Sequence, residues 1–475
     1  MSARGLFGLA SLVFAAVALA TRASQSLGYD ELFTVWVSSR PLLDLIHQAN
    51  LDGFTPPTFY AMAKLVSLTG LTNEDLRVLP VVLAGLAAYL GLQACERLFG
   101  PTSRWVALFL IPGSAYLFTF AHELRPYSAL LACAFFFLGQ LGGPISGKSD
   151  ARAAVAALIA TSVSYLGVSM VALWLWECRR RCARSRLALV GLAGVLLCGP
   201  GFEKAFALAA SGVESRIVWS AARPALSTVF LGLASPSFDA RIEAVSLLLL
   251  VALLAGARYP KPVPALAFLA RALGAFTLGV LALDAFVPIG FAPRYFALPM
   301  SALLLLMAGS LTRLRRVGSV AAFLLLGVNG LAVLRYLTVP PSAREDWRTA
   351  LGRMEDRLGS EGVLLAFPFH HAAVAAQAYA PKVVIGGGYT SRTGPVFWYE
   401  PPASFGGYSF DGLRRVDDAG EVFRRLAAAS DLCLLTDEPD PRKTAALLGA
   451  FEALGGAESF DTGDARLRAL CRSKG

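Results

Sequence analysis

The stretch LFGLASLVFAAVALATRASQSLGYDELFTVW, Leu6 to Trp36, decides how the rest of the chain is read. Leu6–Ala20 carries no charge, only Arg4 lies before it, and no convincing small-residue cleavage site accompanies it. It reads as a retained membrane span rather than a removed leader. An adjacent acid pair, Asp30 and Glu31, comes shortly after it. Carboxylates at a membrane boundary are costly unless they serve a purpose. A third acid opens DGFTPPTFY, Asp52 to Tyr60, in the same loop, which runs over residues 21–77.

Composition agrees with a membrane protein. Of 475 residues, 56% are hydrophobic and only 16% charged, with a mean hydropathy of +0.57. Soluble domains carry about 25% charged residues. The net charge of +10 is not spread evenly. From Pro340 onward there are 16 basic and 18 acidic residues, which leaves 27 basic and 15 acidic before it. The basic residues cluster between apolar runs, at Arg179–Arg181, Arg184 and Arg186, and again at Arg313, Arg315 and Arg316. That is the positive-inside pattern of cytoplasmic loops, and it argues against nucleic acid as a partner. The partner it implies is the lipid bilayer.

With the N-terminus inside, spans are expected at about 6–20, 78–95, 105–121, 127–141, 187–202, 242–255, 266–286, 297–311 and 317–337. The 24 residues of Ala153–Trp176 have basic flanks on both sides. One crossing there breaks the parity, whereas two short ones meeting near Ser162–Gly167 restore it. The total is about eleven spans, with the C-terminus outside. Every basic cluster then falls inside. The motifs HELRPY (His122–Tyr127) and FAPRYF (Phe291–Phe296) fall outside with the acids.

From Pro340 the apolar runs shorten to strand length, as in GVLLAF, KVVIGGG, DLCLLTDE and RLRALC, with helix-like Trp347–Leu358 and Ala419–Ser430 between. The reading is a membrane module over 1–339 and a small extracytoplasmic α/β domain over 340–475. Gly386–Gly388 is expected to be a turn, since it lacks the helix-opening context of a phosphate cradle. His370 and His371 read as an ordinary loop pair. Of the seven cysteines, Cys95, Cys133 and Cys198 read as packing residues, and Cys178 and Cys182 as thiols of a basic loop, either inert or palmitoylated. Cys433 and Cys471 would face an oxidising exterior, either as a disulfide between neighbouring strands or as two buried thiols.

Several side chains could carry chemistry. Asp30 or Glu31 could act as a general base at the membrane surface, or cap the helix that starts near Leu32. Asp52 could be a further carboxylate or an N-cap. Arg125 could fork onto phosphate oxygens, pair with Glu123, or snorkel to headgroups. Arg294 and Tyr295 repeat the arginine–tyrosine pairing of Arg125 and Tyr127.

The acid pair, Pro-Pro loop, R-P-Y, R-Y and the REDWR stretch at Arg344–Arg348 together resemble the GT-C glycosyltransferases. The likeness is to the bacterial branch related to dolichyl-phosphate-mannose–protein mannosyltransferases and lipid A aminoarabinose transferases. Phe54-Thr55 departs from that pattern, where a polar residue is usual. The resemblance implies a polytopic α-helical GT-C fold and transfer of a sugar from a polyprenyl-phosphate donor to an extracytoplasmic acceptor. It makes Asp30 the base, with Glu31 or Asp52 positioning the acceptor. Arg125 and Arg294 would neutralise the lipid phosphate, and Tyr127 and Tyr295 would hydrogen-bond it. Asp30 and Glu31 could coordinate a divalent ion, but no second cluster accompanies them, so no metal or other cofactor is expected. Two other classes remain open: a flippase or polymerase for lipid-linked glycans, and a catalytically degenerate structural subunit.

Overall fold

The computed structural model describes residues 2–22, 27–52, 55–144, 146–210, 263–286, 293–338, 346–358, 363–367, 375, 379, 384–390, 396–399, 414–415, 431–436, 448–449, 451–453, 456–462 and 467–472. The chain divides into two compact units, Met1–Ser24 with Val37–Pro340, and Gln25–Trp36 with Pro341–Gly475.

The first unit is helical. In chain order come α1 (Ala3–Thr21), α2 (Tyr29–Ser39, whose first residues belong to the second unit), α3 (Leu42–Asp52), α4 (Pro57–Ser67), α5 (Val78–Phe99), α6 (Arg104–Leu110), α7 (Ala115–Ala121) and α8 (Tyr127–Leu141). They are followed by α9 (Gly147–Val163), α10 (Val168–Cys178), α11 (Arg184–Ala210), α12 (Pro264–Phe286), α13 (Ala297–Arg313) and α14 (Arg315–Thr338). Among the described residues, four helices are long and apolar enough to cross a membrane: Ala3–Thr21, Asp75–Phe99, Arg184–Glu203 and Arg316–Thr338. Their outer faces are exposed and greasy: Leu12 and Val13 on α1, Leu189 and Leu196 on α11, Phe323 and Leu331 on α14. Apolar surface on this scale is stable against lipid, not water. The span expected near 242–255 lies outside the described residues.

Two breaks follow from local sequence. Between α6 and α7 the axis bends by 60°. Pro112 removes an amide there, and a side chain at Gly113 would collide with the Phe109 carbonyl. The backbone groups freed by the break are taken up again: Ala115 N donates to Asn329 Oδ1 of α14 at 2.8 Å, and Ser114 caps Leu117 N. Intramembrane breaks survive only with such substitutes. The second break, from Ser164 through a 3-10 turn at Tyr165–Gly167, falls where a reversal was expected. Ser164 is extended, and any Cβ on Gly167 would strike the backbone of Ala160 and Thr161. Trp174 Nε1 of α10 donates to the Asp150 carbonyl of α9 at 2.8 Å, so the two helices fold back as a hairpin.

Helices α5, α8 and α13 run in the same direction. Small residues let their later turns touch: Gly139 of α8 lies on Ala94 of α5, Gly142 faces Leu98, and Gly309 of α13 faces Phe99. Their starts, at Val78, Tyr127 and Ala297, therefore lie toward the other end of the bundle, away from Arg97 and Arg313.

The second unit contains a seven-stranded mixed sheet ordered β4-β3-β2-β1-β5-β7-β6. Its strands are β1 (Val363–Phe367), β2 (Val384–Thr390), β3 (Val396–Tyr399), β4 (Arg414–Arg415), β5 (Leu432–Thr436), β6 (Glu458–Phe460) and β7 (Arg468–Arg472). β1 is central and parallel to both β2 and β5; every other pairing is antiparallel. The helix Trp347–Leu358 packs on β1 and β5, burying Trp347, Ala350, Leu351, Met354 and Leu358 at helical spacing. Asp346 caps it, accepting from Thr349 N at 3.2 Å and Thr349 Oγ1 at 2.7 Å.

The glycine triplet is a correction. Gly386–Gly388 lies inside β2, not in a turn, with Gly387 opposite Tyr399 and Gly388 opposite Trp398. Strand partners on both sides override the weak strand tendency of glycine. Cys433 and Cys471 stand opposite one another on β5 and β7, their Cα atoms 4.1 Å apart, and form a disulfide.

Candidate active site

The acid pair is set by the start of α2. The Gly28 carbonyl accepts from Glu31 N at 3.0 Å and Leu32 N at 2.9 Å, and Glu31 Oε2 accepts in return from Gly28 N at 3.0 Å. A carboxylate at the third helical position reaching back to the cap amide is one half of a capping box. Glu31 is 3% exposed and committed to its own backbone. Asp30, one residue earlier, is half-buried, and its carbonyl accepts from Thr34 Oγ1 at 3.0 Å. Leu27 N just upstream donates to Tyr379 Oη at 3.0 Å, which fixes the entry into the helix within the second unit. Both carboxylates lie in the first turn of the helix, at the positive end of its dipole. Glu31 thus helps to build the turn that starts the helix.

Asp52 is the last residue of α3. It does not cap α4, whose cap position is Pro56 with Pro57 in the first turn and no side-chain bond. Proline at the first helical position presets φ, so the Pro-Pro pair rather than the acid starts that helix. Thr55 and Pro56 are buried, as are Phe59 and Tyr60.

In the first unit the other motifs converge at one end of the bundle. HELRPY forms the tight turn from α7 into α8, closed by Arg125 N on the Glu123 carbonyl at 2.6 Å. Arg125 is half-buried in that turn. Tyr127 is buried at the first position of α8, its ring 5.0 Å from Phe120, which meets Tyr116 edge-on. Arg294 and Tyr295 occupy the 3-10 turn Pro293–Phe296 directly before α13, and half-buried Tyr295 packs against the helical core. Since α8 and α13 start at the same end, both arginine–tyrosine motifs lie there.

Sequence reasoning passed over three residues at this end. His122 is buried, with Nε2 2.9 Å from Thr21 Oγ1 and Nδ1 2.9 Å from the Phe118 carbonyl. Its ring also lies 5.8 Å from that of Tyr336, on α14. Arg77 is fully buried before α5 and donates to the Arg22 carbonyl at 2.9 Å. Arg22 in turn pairs with Asp75 at 2.6 Å. A signal existed for His122, which opens the quoted motif. Arg77 looked like one more span-flanking charge.

Asp150, Cys178 and Cys182 are the one group among the described residues with a metal-like arrangement of ligand atoms. Arg181 already pairs with Asp150 at 3.1 Å, so a cation holds that carboxylate. His370 and His371 lie outside the described residues.

Two crystal structures of ArnT from Cupriavidus metallidurans superpose on nearly the whole chain. The apo form covers 99% of this chain and 97% of its own, with a TM-score of 0.58 at 14% identity. The form bound to undecaprenyl phosphate covers 98% and 97%, with a TM-score of 0.52 at 13% identity. The chain has the ArnT fold. At 14% and 13% identity the likeness is one of fold. No protein-family model and no curated protein matches the chain.

Proposed function

We propose that this protein is a membrane glycosyltransferase that moves a sugar from a polyprenyl-phosphate donor to an acceptor outside the cytoplasm, inverting the anomeric centre. The observation that carries the reading is the convergence of two Arg/Tyr motifs, at Arg125–Tyr127 and Arg294–Tyr295, at one end of a fold shared with ArnT. One of those ArnT structures is bound to undecaprenyl phosphate, the same class of lipid phosphate as the proposed donor.

The chemistry needs few parts. Asp30 takes the proton of an acceptor hydroxyl, whose oxygen attacks the anomeric carbon. The bond from that carbon to the phosphate oxygen breaks, and the polyprenyl phosphate leaves with the electron pair. Arg125 and Arg294 neutralise the departing phosphate, with Tyr127 and Tyr295 as hydrogen-bond donors to it. Capping by Glu31 supports a division of labour in which Asp30 is the base and Glu31 holds its helix. Asp52 remains the candidate for orienting the acceptor. No step calls for a metal ion.

The proposed topology has about eleven spans in a bacterial inner membrane. The N-terminus is cytoplasmic and the sheet-bearing C-terminal region outside, where an oxidising compartment suits the Cys433–Cys471 disulfide. Membranes supplied with radiolabelled polyprenyl-phosphate sugar test the reading. Transfer that Asp30→Asn leaves undiminished would overturn it.

A further inference from the structure

A cavity of about 390 Å³ opens between α1, α5 and α8 at the end of the bundle opposite the Arg/Tyr motifs. Its lining divides in two. Phe7 and Phe136 give an apolar wall, while Arg4, Gln93, Arg97 and Gln140 bring polar groups to the same space. Arg97 folds over Gly143, at the exit of α8, where any side chain would meet its Nε. Glu96 also borders the cavity, but Arg104 Nε donates to its Oε1 at 3.0 Å, so its charge is met from outside. The two remaining cations, Arg4 and Arg97, make the rim positive. Deeper in, Gln140 is 9% exposed, and its Oε1 is buried without a hydrogen-bond partner among the described residues. A buried acceptor left in that state costs about 1–3 kcal/mol, and a ligand that brings a donor recovers it.

We propose that this cavity binds the headgroup of an anionic glycerophospholipid that carries a hydroxyl donor. The phosphate meets Arg4 and Arg97, the headgroup hydroxyl donates to Gln140 Oε1, and the acyl chains leave along the apolar wall. The level fits: Arg97, Arg104 and Arg313 mark this end as the one that meets headgroups, and basic pockets between helices select anionic lipids there. The site rests on the chain spanning a membrane and not on the transferase reading, which Asp30→Asn tests separately.

The test uses the full-length protein, purified in detergent and loaded with equimolar phosphatidylglycerol and phosphatidylcholine, then read by native mass spectrometry. One phosphatidylglycerol per chain is expected to survive activation that strips phosphatidylcholine. Arg4→Gln with Arg97→Gln, both at exposed positions, should lower its binding constant by about thirtyfold, the scale of two interfacial cation–lipid contacts. Gln140→Leu should erase the preference for the hydroxylated headgroup, whereas Arg152→Gln on α9 should leave it intact. Equal retention of the two lipids, or undiminished binding in the double variant, overturns the proposal. Displacement of the lipid by millimolar glycerol phosphate would reassign the site to a soluble anion and overturn it equally.

Discussion

Thr21 and His122 stand 101 residues apart in sequence, yet Thr21 Oγ1 and His122 Nε2 are 2.9 Å apart. The contact fastens the outgoing end of α1 to the turn that presents Arg125. The His122 ring extends the fastening to α14, lying 4.5 Å from Phe118 and 5.8 Å from Tyr336. His122→Phe keeps the ring and drops both hydrogen bonds, leaving the Phe118 carbonyl buried without the imidazole. The expected cost is about 1–2 kcal/mol of stability, read as a lower unfolding temperature in detergent. Thr21→Val should cost less, because it leaves the bond between His122 Nδ1 and the Phe118 carbonyl in place. If His122→Phe melts like the parent, the fastening carries no weight.

The two neighbouring acids should separate in experiment. Glu31→Ala removes the bond to Gly28 N and is expected to cost about 1 kcal/mol of stability, as lost helix caps do. Asp30→Asn leaves that bond in place and should lower transfer by about 10²–10⁴-fold with little change in melting. Parallel melting curves and transfer assays on the two variants check the split. A variant pair that loses activity and stability in the same proportion would show that both acids merely build the turn.

A conservative exchange probes the phosphate clamp. Lysine keeps the charge of Arg125 or Arg294 but loses the planar fork, so each single exchange should raise the apparent KM for the donor more than it lowers stability. If one phosphate lies between the two, the double variant loses less than the sum of the singles. Donor-concentration series on the four proteins of the cycle supply the numbers. Strict additivity would mean that the arginines hold different groups.

Much of the fold is legible in the sequence because lipid imposes a simple rule: backbone groups must be satisfied within the helix, so apolar length reads directly as helix. The reversal at Ser164–Gly167 is legible from charge parity alone, since basic residues flank both sides of Ala153–Trp176. In the second unit GVLLAF and DLCLLTDE read as strands because β1 and β5 are central and continuously apolar. Gly386–Gly388 is not legible, because its place in a strand is decided by residues of β1 and β3, remote in sequence. The site is legible in kind but not in role. Residue type picks out Asp30 and Glu31 together, while only the backbone geometry at Gly28 tells them apart. Asp52 reads equally well as a cap until the Pro56–Pro57 start of α4 is seen.

The disulfide gives the cleanest measurement. Cys433 and Cys471 pair across β5 and β7, and the bond closes a loop of 38 residues. On the chain-entropy argument such a loop contributes roughly 4 kcal/mol by restricting the unfolded state. The other five cysteines, Cys95, Cys133, Cys178, Cys182 and Cys198, are free. Alkylation of the denatured, unreduced protein should therefore add five labels by intact mass, and seven after reduction. Reduction of the folded protein should lower the unfolding temperature of the sheet-bearing unit. Cys433→Ser with Cys471→Ser should reproduce that loss and make the protein insensitive to reductant. Seven labels without reductant would leave two buried thiols packed between neighbouring strands, and would remove the support the bond lends to an oxidising location for this unit.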